Sequence, residues 1–421
     1  MPDRVGSTAA LTCPTYYRVT PQLRFILATI VIDAIGFGIV LPVLPQLVMT
    51  VSHAGLSEAT LIGGWLGLSY AAMQFLFGPL VGNLGDRFGR RPVLLGALAG
   101  LTLDYLLLGF APSLAWLFAG RLIAGLCGAS WGPASAAIAD IAPPEDRARL
   151  FGLVGAAFGI GFIIGPAIGG LLGELNPRAP FWVAAGLAGA NCIYGYFFFP
   201  ETLAAANRRP FTLARANPFG ALMALRRLPG VLGLTGVYFV WAIASMVYPS
   251  TWSFYALAAF DWSVGTIGAS LAWVGILMAL MQVFVLRHVL ARLGEDGALK
   301  FGLVVAILVF AAFAVVRDGR LAFVVLTLSA LHATVQPSIM ALMSRRVPAD
   351  AQGELQGFTG SVAALAAMLA PMLLSWPLAY FTSPRAPVYF PGAGFAVASF
   401  AAVVALASLV ALRRQPSRLS S

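Results

Sequence analysis

The sequence predicts an all-α membrane protein with twelve transmembrane helices in two six-helix halves. Of 421 residues, 60% are hydrophobic and 10% charged, against roughly 25% charged in an ordinary soluble domain, and mean hydropathy is +0.87. Apolar runs of about 20 residues, the length that crosses a ~30 Å hydrocarbon core as a helix, recur along the whole chain. The chain also matches itself at an offset of 205 residues, close to half its length.

The runs fall at 23–49, 60–82, 92–111, 114–140, 147–173, 180–200, 228–254, 264–288, 298–316, 320–344, 353–380 and 388–412. A closed β-barrel also satisfies its backbone in lipid, but it shows ~10-residue alternating segments rather than long continuous runs, so helices are expected. Residues 1–22 are mixed, with Arg4, Pro14 and Arg18, and no small-residue cleavage site follows the first run. That run is therefore expected to be an uncleaved span and not a secretory signal. Cys13, Cys127 and Cys192 lie far apart, with neither metal-ligand spacing nor the density of a disulfide framework.

Lys and Arg number 26 against 16 Asp and Glu, a net charge of +10. Sorted by side of the membrane, 21 basic residues share the side of the amino terminus. The opposite side has four, Arg178, Arg317, Arg320 and Arg385, and Arg121 lies within a span. The positive-inside rule then puts both termini in the cytoplasm and accounts for the basic charge with no nucleic-acid partner.

At the offset of 205, Gly89 falls on Gly294, Pro143 on Pro348, Glu145 on Asp350, Leu150 on Leu355, Gly152 on Gly357, Gly155 on Gly360 and Pro166 on Pro371. One offset serving two loops and a helix indicates homologous halves, an architecture of transporters with the substrate site near the midplane between them. The expected organisation is a cytoplasmic segment 1–22, a first half 23–200, an Arg- and Pro-rich cytoplasmic linker 201–227, a second half 228–412 and a tail 413–421.

Charges within spans mark function by default, because each costs at least ~2.5–3.5 kcal/mol at the bilayer centre. Asp33 lies nine residues past Arg24, or ~14 Å, and Asp104 thirteen past Arg91, or ~20 Å. Arg121 enters from the other side and reaches a depth similar to that of Asp104. An Asp104–Arg121 ion pair is expected, either as part of proton coupling or as a purely structural pair, with Asp33 then the better proton carrier. Asp33 also suits a second reading, as an acid capping a helix break near Gly36, Gly38 and Pro42. Gln74, Tyr238, Trp241, Gln282, His332 and Gln336 are polar or aromatic residues in other spans and are candidates to line a cavity for flat amphipathic molecules, or to serve as interhelical glue.

The loop between spans 2 and 3 packs Gly82, Gly85, Asp86, Arg87, Gly89, Arg90 and Arg91 into ten residues. It resembles the signature loop of the major facilitator superfamily, which implies the major facilitator fold. The resemblance further implies a cytoplasmic latch of the outward-open state that includes Gly82, Asp86, Arg87, Gly89, Arg90 and Arg91, with Asp140 at the end of span 4 as its acid. Span 5 carries Gly152, Gly161, Gly165, Pro166, Gly169 and Gly170. Small residues at this spacing permit backbone-to-backbone packing, and the pattern is similar to the span-5 motif of proton-coupled antiporters.

Residues 24–202 resemble the tetracycline efflux branch of that superfamily, through Asp33-Ala34-Ile35-Gly36, Leu41 to Pro45, Asp86 to Leu95, Leu103 to Leu108, Gly120-Arg121-Leu122 and Gly165 to Gly170. The resemblance implies that Asp33, Asp104 and Arg121 serve substrate and proton coupling. It also implies that a proton gradient supplies the energy, that no cofactor is bound, and that the substrate is carried as a divalent-metal chelate. Two features depart from the branch: 298–316 holds no acid, and Met278 stands where some members carry a His in span 8.

The expected function is a proton-coupled antiporter in a bacterial inner membrane, exporting a small organic molecule such as tetracycline or a related drug by alternating access. A transporter of an endogenous metabolite, or a sensor or assembly factor that transports nothing, would share the span count, but three intramembrane charges and the latch loop favour transport. The chain shows no nucleophile–base set or metal cluster, so an enzyme is not expected. In a background without native cysteines, a Cys at Arg215 or Ser417 should be shielded in intact cells from an impermeant thiol reagent. One at Ser113 or Ser383 should react, and labelling of position 417 from outside would overturn the orientation.

Overall fold

The computed structural model describes residues 21–128, 131–142, 146–212, 217–220, 229–348 and 351–414. Residues 1–20 and 415–421, parts of the linker, and the repeat positions Pro143, Glu145 and Asp350 lie outside the described residues. The first six spans are α1 (Pro21–Ser52), α2 (Leu56–Phe88), α3 (Arg90–Phe110), α4 (Leu114–Cys127) with α5 (Trp131–Ile141), α6 (Arg147–Leu175) and α7 (Ala179–Phe198). After the linker come α8 (Leu232–Ser245), α9 (Val247–Phe260), α10 (Val264–Leu280), α11 (Leu286–Val315), α12 (Gly319–Ser329), α13 (Val335–Ser344), α14 (Gln352–Phe381) and α15 (Ala393–Arg413).

Among the described residues, eleven helical stretches are long and apolar enough to cross a membrane, and one of them, Val264–Val315, runs 52 residues. At 1.5 Å per residue that is about 78 Å, far more than one bilayer. Gly294, with φ +65°, breaks it into two crossings, which gives twelve. Gly89, with φ +105°, turns the chain between α2 and α3, and it is the residue that the 205 offset places on Gly294. Both positions require the left-handed backbone that glycine adopts without strain.

Spans 7, 8 and 10 depart from a continuous α-helix within the described residues. Span 7 breaks between α8 and α9 at Met246, four residues or fewer before Pro249, which cannot donate to the Ser245 carbonyl. Span 10 tightens to a 3₁₀ turn over Ala330–Thr334, just before Pro337, which likewise leaves the Ala333 carbonyl without its helical donor. Span 8 carries a π turn over Met281–Val285.

Small residues set how closely the helices approach. A Cβ on Gly161, Gly165 or Gly169 would stand 2.5–2.6 Å from carbonyl oxygens of Val31, Ile35 or Ile39, so α6 lies backbone to backbone along α1. One on Gly268 of α10 would meet the Pro166 carbonyl oxygen at 2.3 Å. Gly152 is not part of this seam and faces open space.

The two sets of six spans meet chiefly where α2 packs on α14 and α6 on α10, with α9 reaching α1 and α2 beside them, on the face opposite the α2–α3 turn. There the Ser57 hydroxyl donates to the Ala379 carbonyl at 2.6 Å, and Ser253 donates to the Leu41 carbonyl at 2.6 Å. Glu174 accepts from Ser263 Oγ at 2.5 Å and from the Gly265 N–H at 3.1 Å. Toward the basic face the pairs diverge. The α6 face that meets α10 at Ile163, Pro166 and Gly170 continues through Gly159, Gly155 and Gly152, and a Cβ there would touch nothing within 4 Å. The same holds for Gly78 and Gly82 of α2 and for Gly353, Gly357 and Gly360 of α14. The structure is therefore closed on the far face and open on the basic face.

Because Gly268 has no room for a side chain, Gly268→Val should overpack the α6–α10 seam at a cost of about 1–3 kcal/mol. A lowered thermal midpoint of the purified protein checks this, and an unchanged midpoint would mean the seam is looser than described.

Candidate functional site

Three intramembrane charges meet in the first six spans. Arg121 of α4 donates from Nη2 to Asp104 Oδ2 of α3, with both side chains almost wholly buried. The α3–α4 approach is tight because Gly120 leaves the space that Asp104 Oδ1 fills. The Arg121 guanidinium also stands 5.9 Å from the Tyr70 ring centre. Tyr70 and Tyr105 are each within electrostatic reach of Asp33, Asp104 and Arg121. Gly36 on α1 makes room for the Tyr105 hydroxyl, which would lie 2.0 Å from a Cβ there. Asp33, Asp104 and Arg121 are thus brought together around two tyrosines. Gln74 joins the edge of this group, donating to the Gly128 carbonyl at 3.1 Å and to the Tyr70 hydroxyl at 3.5 Å. The tyrosines were not singled out in the sequence, although Tyr105 directly follows Asp104.

The remaining candidate residues cluster in the last six spans. A cavity of about 600 Å³ is lined by Trp241, Ser245, Met278, Gln282, His332 and Gln336 among others. Gln336 donates to the Tyr238 hydroxyl at 3.3 Å, which brings Tyr238 to the rim. Gln282 lies on the π turn and His332 on the 3₁₀ turn. The cavity lining carries aromatic and amide groups and no carboxylate, lysine or arginine.

The latch residues form a network at the basic face. Arg90 Nη1 meets Asp86 Oδ1 at 2.7 Å, and Arg90 Nε donates to Asp140 Oδ2 at 3.1 Å. Arg87 lies over the Phe88 ring at 5.1 Å, outside these pairs. Glu201, at the start of the linker, accepts from the backbone N–H groups of Arg90 at 2.7 Å and Arg91 at 3.2 Å. A carboxylate there complements the exposed donors and positive dipole end of α3. The linker continues along this turn: Arg209 donates its N–H to the Asp86 carbonyl at 3.0 Å, and Asn83 donates to the Thr212 carbonyl at 2.7 Å. These contacts all lie within the first six spans and the linker, and they are present while the basic face is open.

A second network stands at the equivalent place in the last six spans with its charges reversed. The offset that puts Gly89 on Gly294 puts Arg90 on Glu295 and Asp140 on Arg345, and Arg345 Nη2 meets Glu295 Oε1 at 2.7 Å. Asp296, the counterpart of Arg91, pairs with Lys300 at 2.8 Å and with Arg413 at the end of α15. Neither Glu201 nor this inverted pair was picked out from the sequence. The signal was present in the offset, but a search for identical residue types passes over a pair whose signs are exchanged.

The chain is similar along most of its length to proteins of one kind. The model of the Major Facilitator Superfamily matches residues 26–371. The class C tetracycline resistance protein of Escherichia coli is 41% identical over 353 residues, 84% of this chain and 88% of that protein. The class G tetracycline resistance protein of Vibrio anguillarum is 37% identical over 343 residues, 81% of this chain and 86% of that protein. Among solved structures, the human organic anion transporter MFSD10 aligns at TM-score 0.68 with 24% identity, covering 92% of this chain and 99% of that one. The nucleoside transporter NupG aligns at TM-score 0.70 with 14% identity, covering 94% and 99%, and both similarities show the fold alone. The chain belongs to the Major Facilitator Superfamily and, within it, to the branch of the tetracycline resistance proteins.

Proposed function

We propose that this chain is a proton-driven exporter of tetracycline or a closely related flat drug, carried as its divalent-metal chelate across the inner membrane of a bacterium. Export runs by alternating access, residues 23–200 rocking against 228–412, with the basic face and both termini in the cytoplasm. The conformation described above, open on the basic face, then receives the drug from the cytoplasm. The buried Arg121–Asp104 pair, grouped with Asp33 around Tyr70 and Tyr105, carries this assignment. An ion pair in hydrocarbon is costly unless it works, and a second acid beside it gives the group a carboxylate that can change its proton occupancy.

In this account Asp33 takes a proton from outside and releases it when drug binds from inside, while Asp104 stays paired with Arg121. Binding and protonation are then reciprocally linked. The Asp86–Arg90–Asp140 network and Glu201 stiffen the first half at the basic face, so that it moves as one body, and the inverted Glu295–Arg345 pair does the same for the second.

Drug-induced proton release from the purified protein in detergent tests the coupling. Tetracycline with magnesium should release protons from the wild type and far fewer from Asp33→Asn, which keeps the shape and fixes the neutral state. Equal release from both moves the coupling role to Asp104, and no release from the wild type overturns antiport.

A further inference from the structure

The second-half cavity holds a hydrogen-bonding group that the coupling mechanism does not use. His332 is 4% exposed and neither ring nitrogen hydrogen-bonds to the protein. Its imidazole is boxed by aromatic rings, Tyr248 stacked at 5.9 Å, Trp241 edge-on at 5.5 Å and Phe310 tilted at 5.7 Å, and it borders the cavity beside Gln282. A neutral imidazole offers one donor and one acceptor, and a glutamine offers both on one amide.

The backbone at both residues has left α geometry. His332 is on the 3₁₀ turn Ala330–Thr334, Gln282 is on the π turn Met281–Val285, and the two turns pack against each other. Such local departures recur at functional positions, and here two of them coincide at the wall of one cavity. No formally charged side chain lines that wall, so it selects by hydrogen bonding and stacking, not by charge.

We infer that His332 and Gln282 form a hydrogen-bonding clamp for the hydroxyl and keto edge of a flat conjugated substrate whose ring stacks near Trp241. The clamp rests on the export reading and adds to it a division of labour. Charge on the substrate is met in the first half by Asp33, Asp104 and Arg121, and the uncharged polar edge is read in the second.

The test is equilibrium binding of tetracycline with magnesium to the purified full-length protein, followed by quenching of intrinsic fluorescence, with thermal melting run on every variant. His332→Phe keeps an aromatic ring and removes both hydrogen-bonding atoms, and it should weaken binding by about tenfold, the loss of one buried hydrogen bond. His332→Gln restores a donor and an acceptor and should recover most of the affinity. Gln282→Leu, on the other wall, should weaken binding to a similar degree and keeps the clamp testable should His332→Phe melt early. Unchanged affinity in both His332→Phe and Gln282→Leu overturns the clamp and leaves the export reading standing. Absence of binding to the wild type overturns both.

Discussion

A charge placed in hydrocarbon has to be answered by another group of the same protein, and the arrangement of the first six spans follows from that constraint. Arg121 and Asp104 answer each other across α3 and α4. Removing one partner of such a pair leaves the other buried and uncompensated, at about 3–5 kcal/mol. The surrounding sequence is shaped to keep them together. Gly120 admits the carboxylate, and Gly36 admits the Tyr105 hydroxyl. A pair buried this deeply is out of reach of bulk water unless the helices around it separate.

The seams between helices differ in how closely they hold along their length. Where α6 lies on α1 the contact is largely glycine against backbone, with the Pro166 ring set against Gly38. A neighbouring face of α6, through Ile163, Pro166 and Gly170, meets α10 on the far side of the membrane and diverges from it toward the basic side, and α2 and α14 repeat the pattern. Each helix pair thus has a closed part and an open part along one continuous stripe of small residues. The far face is held by hydrogen bonds of Ser57, Ser253 and Glu174 together with close packing of Gly64 on Ser375 and of Gly170 on Gly268.

Much of this was legible in the sequence because lipid enforces simple rules. Twelve runs, the basic asymmetry and the loop from Gly82 to Arg91 were readable without coordinates, as was the pairing of Asp104 with Arg121. The linker contact of Glu201 was not, since a carboxylate after a helix end has no periodicity and its partners are backbone N–H groups of a distant helix. The helical irregularities at Gln282 and His332 escaped for a related reason. Pro337 accounts for the tight turn at His332, whereas no residue near Gln282 signals a π turn. The inverted Glu295–Arg345 pair shows a different limit: repeats preserve an interaction while exchanging its signs, and residue identity then conceals what geometry keeps.

The networks at the basic face and the polar cavity of the second half acquire meaning only if the buried acids move protons against a solute. The direct measurement is made in proteoliposomes holding the purified protein and a trapped pH-sensitive dye. A gradient of magnesium-tetracycline, with no other energy source, should drive protons in the opposite direction until either gradient is spent. Tetracycline crossing the bilayer through the protein with no accompanying proton movement would contradict the account.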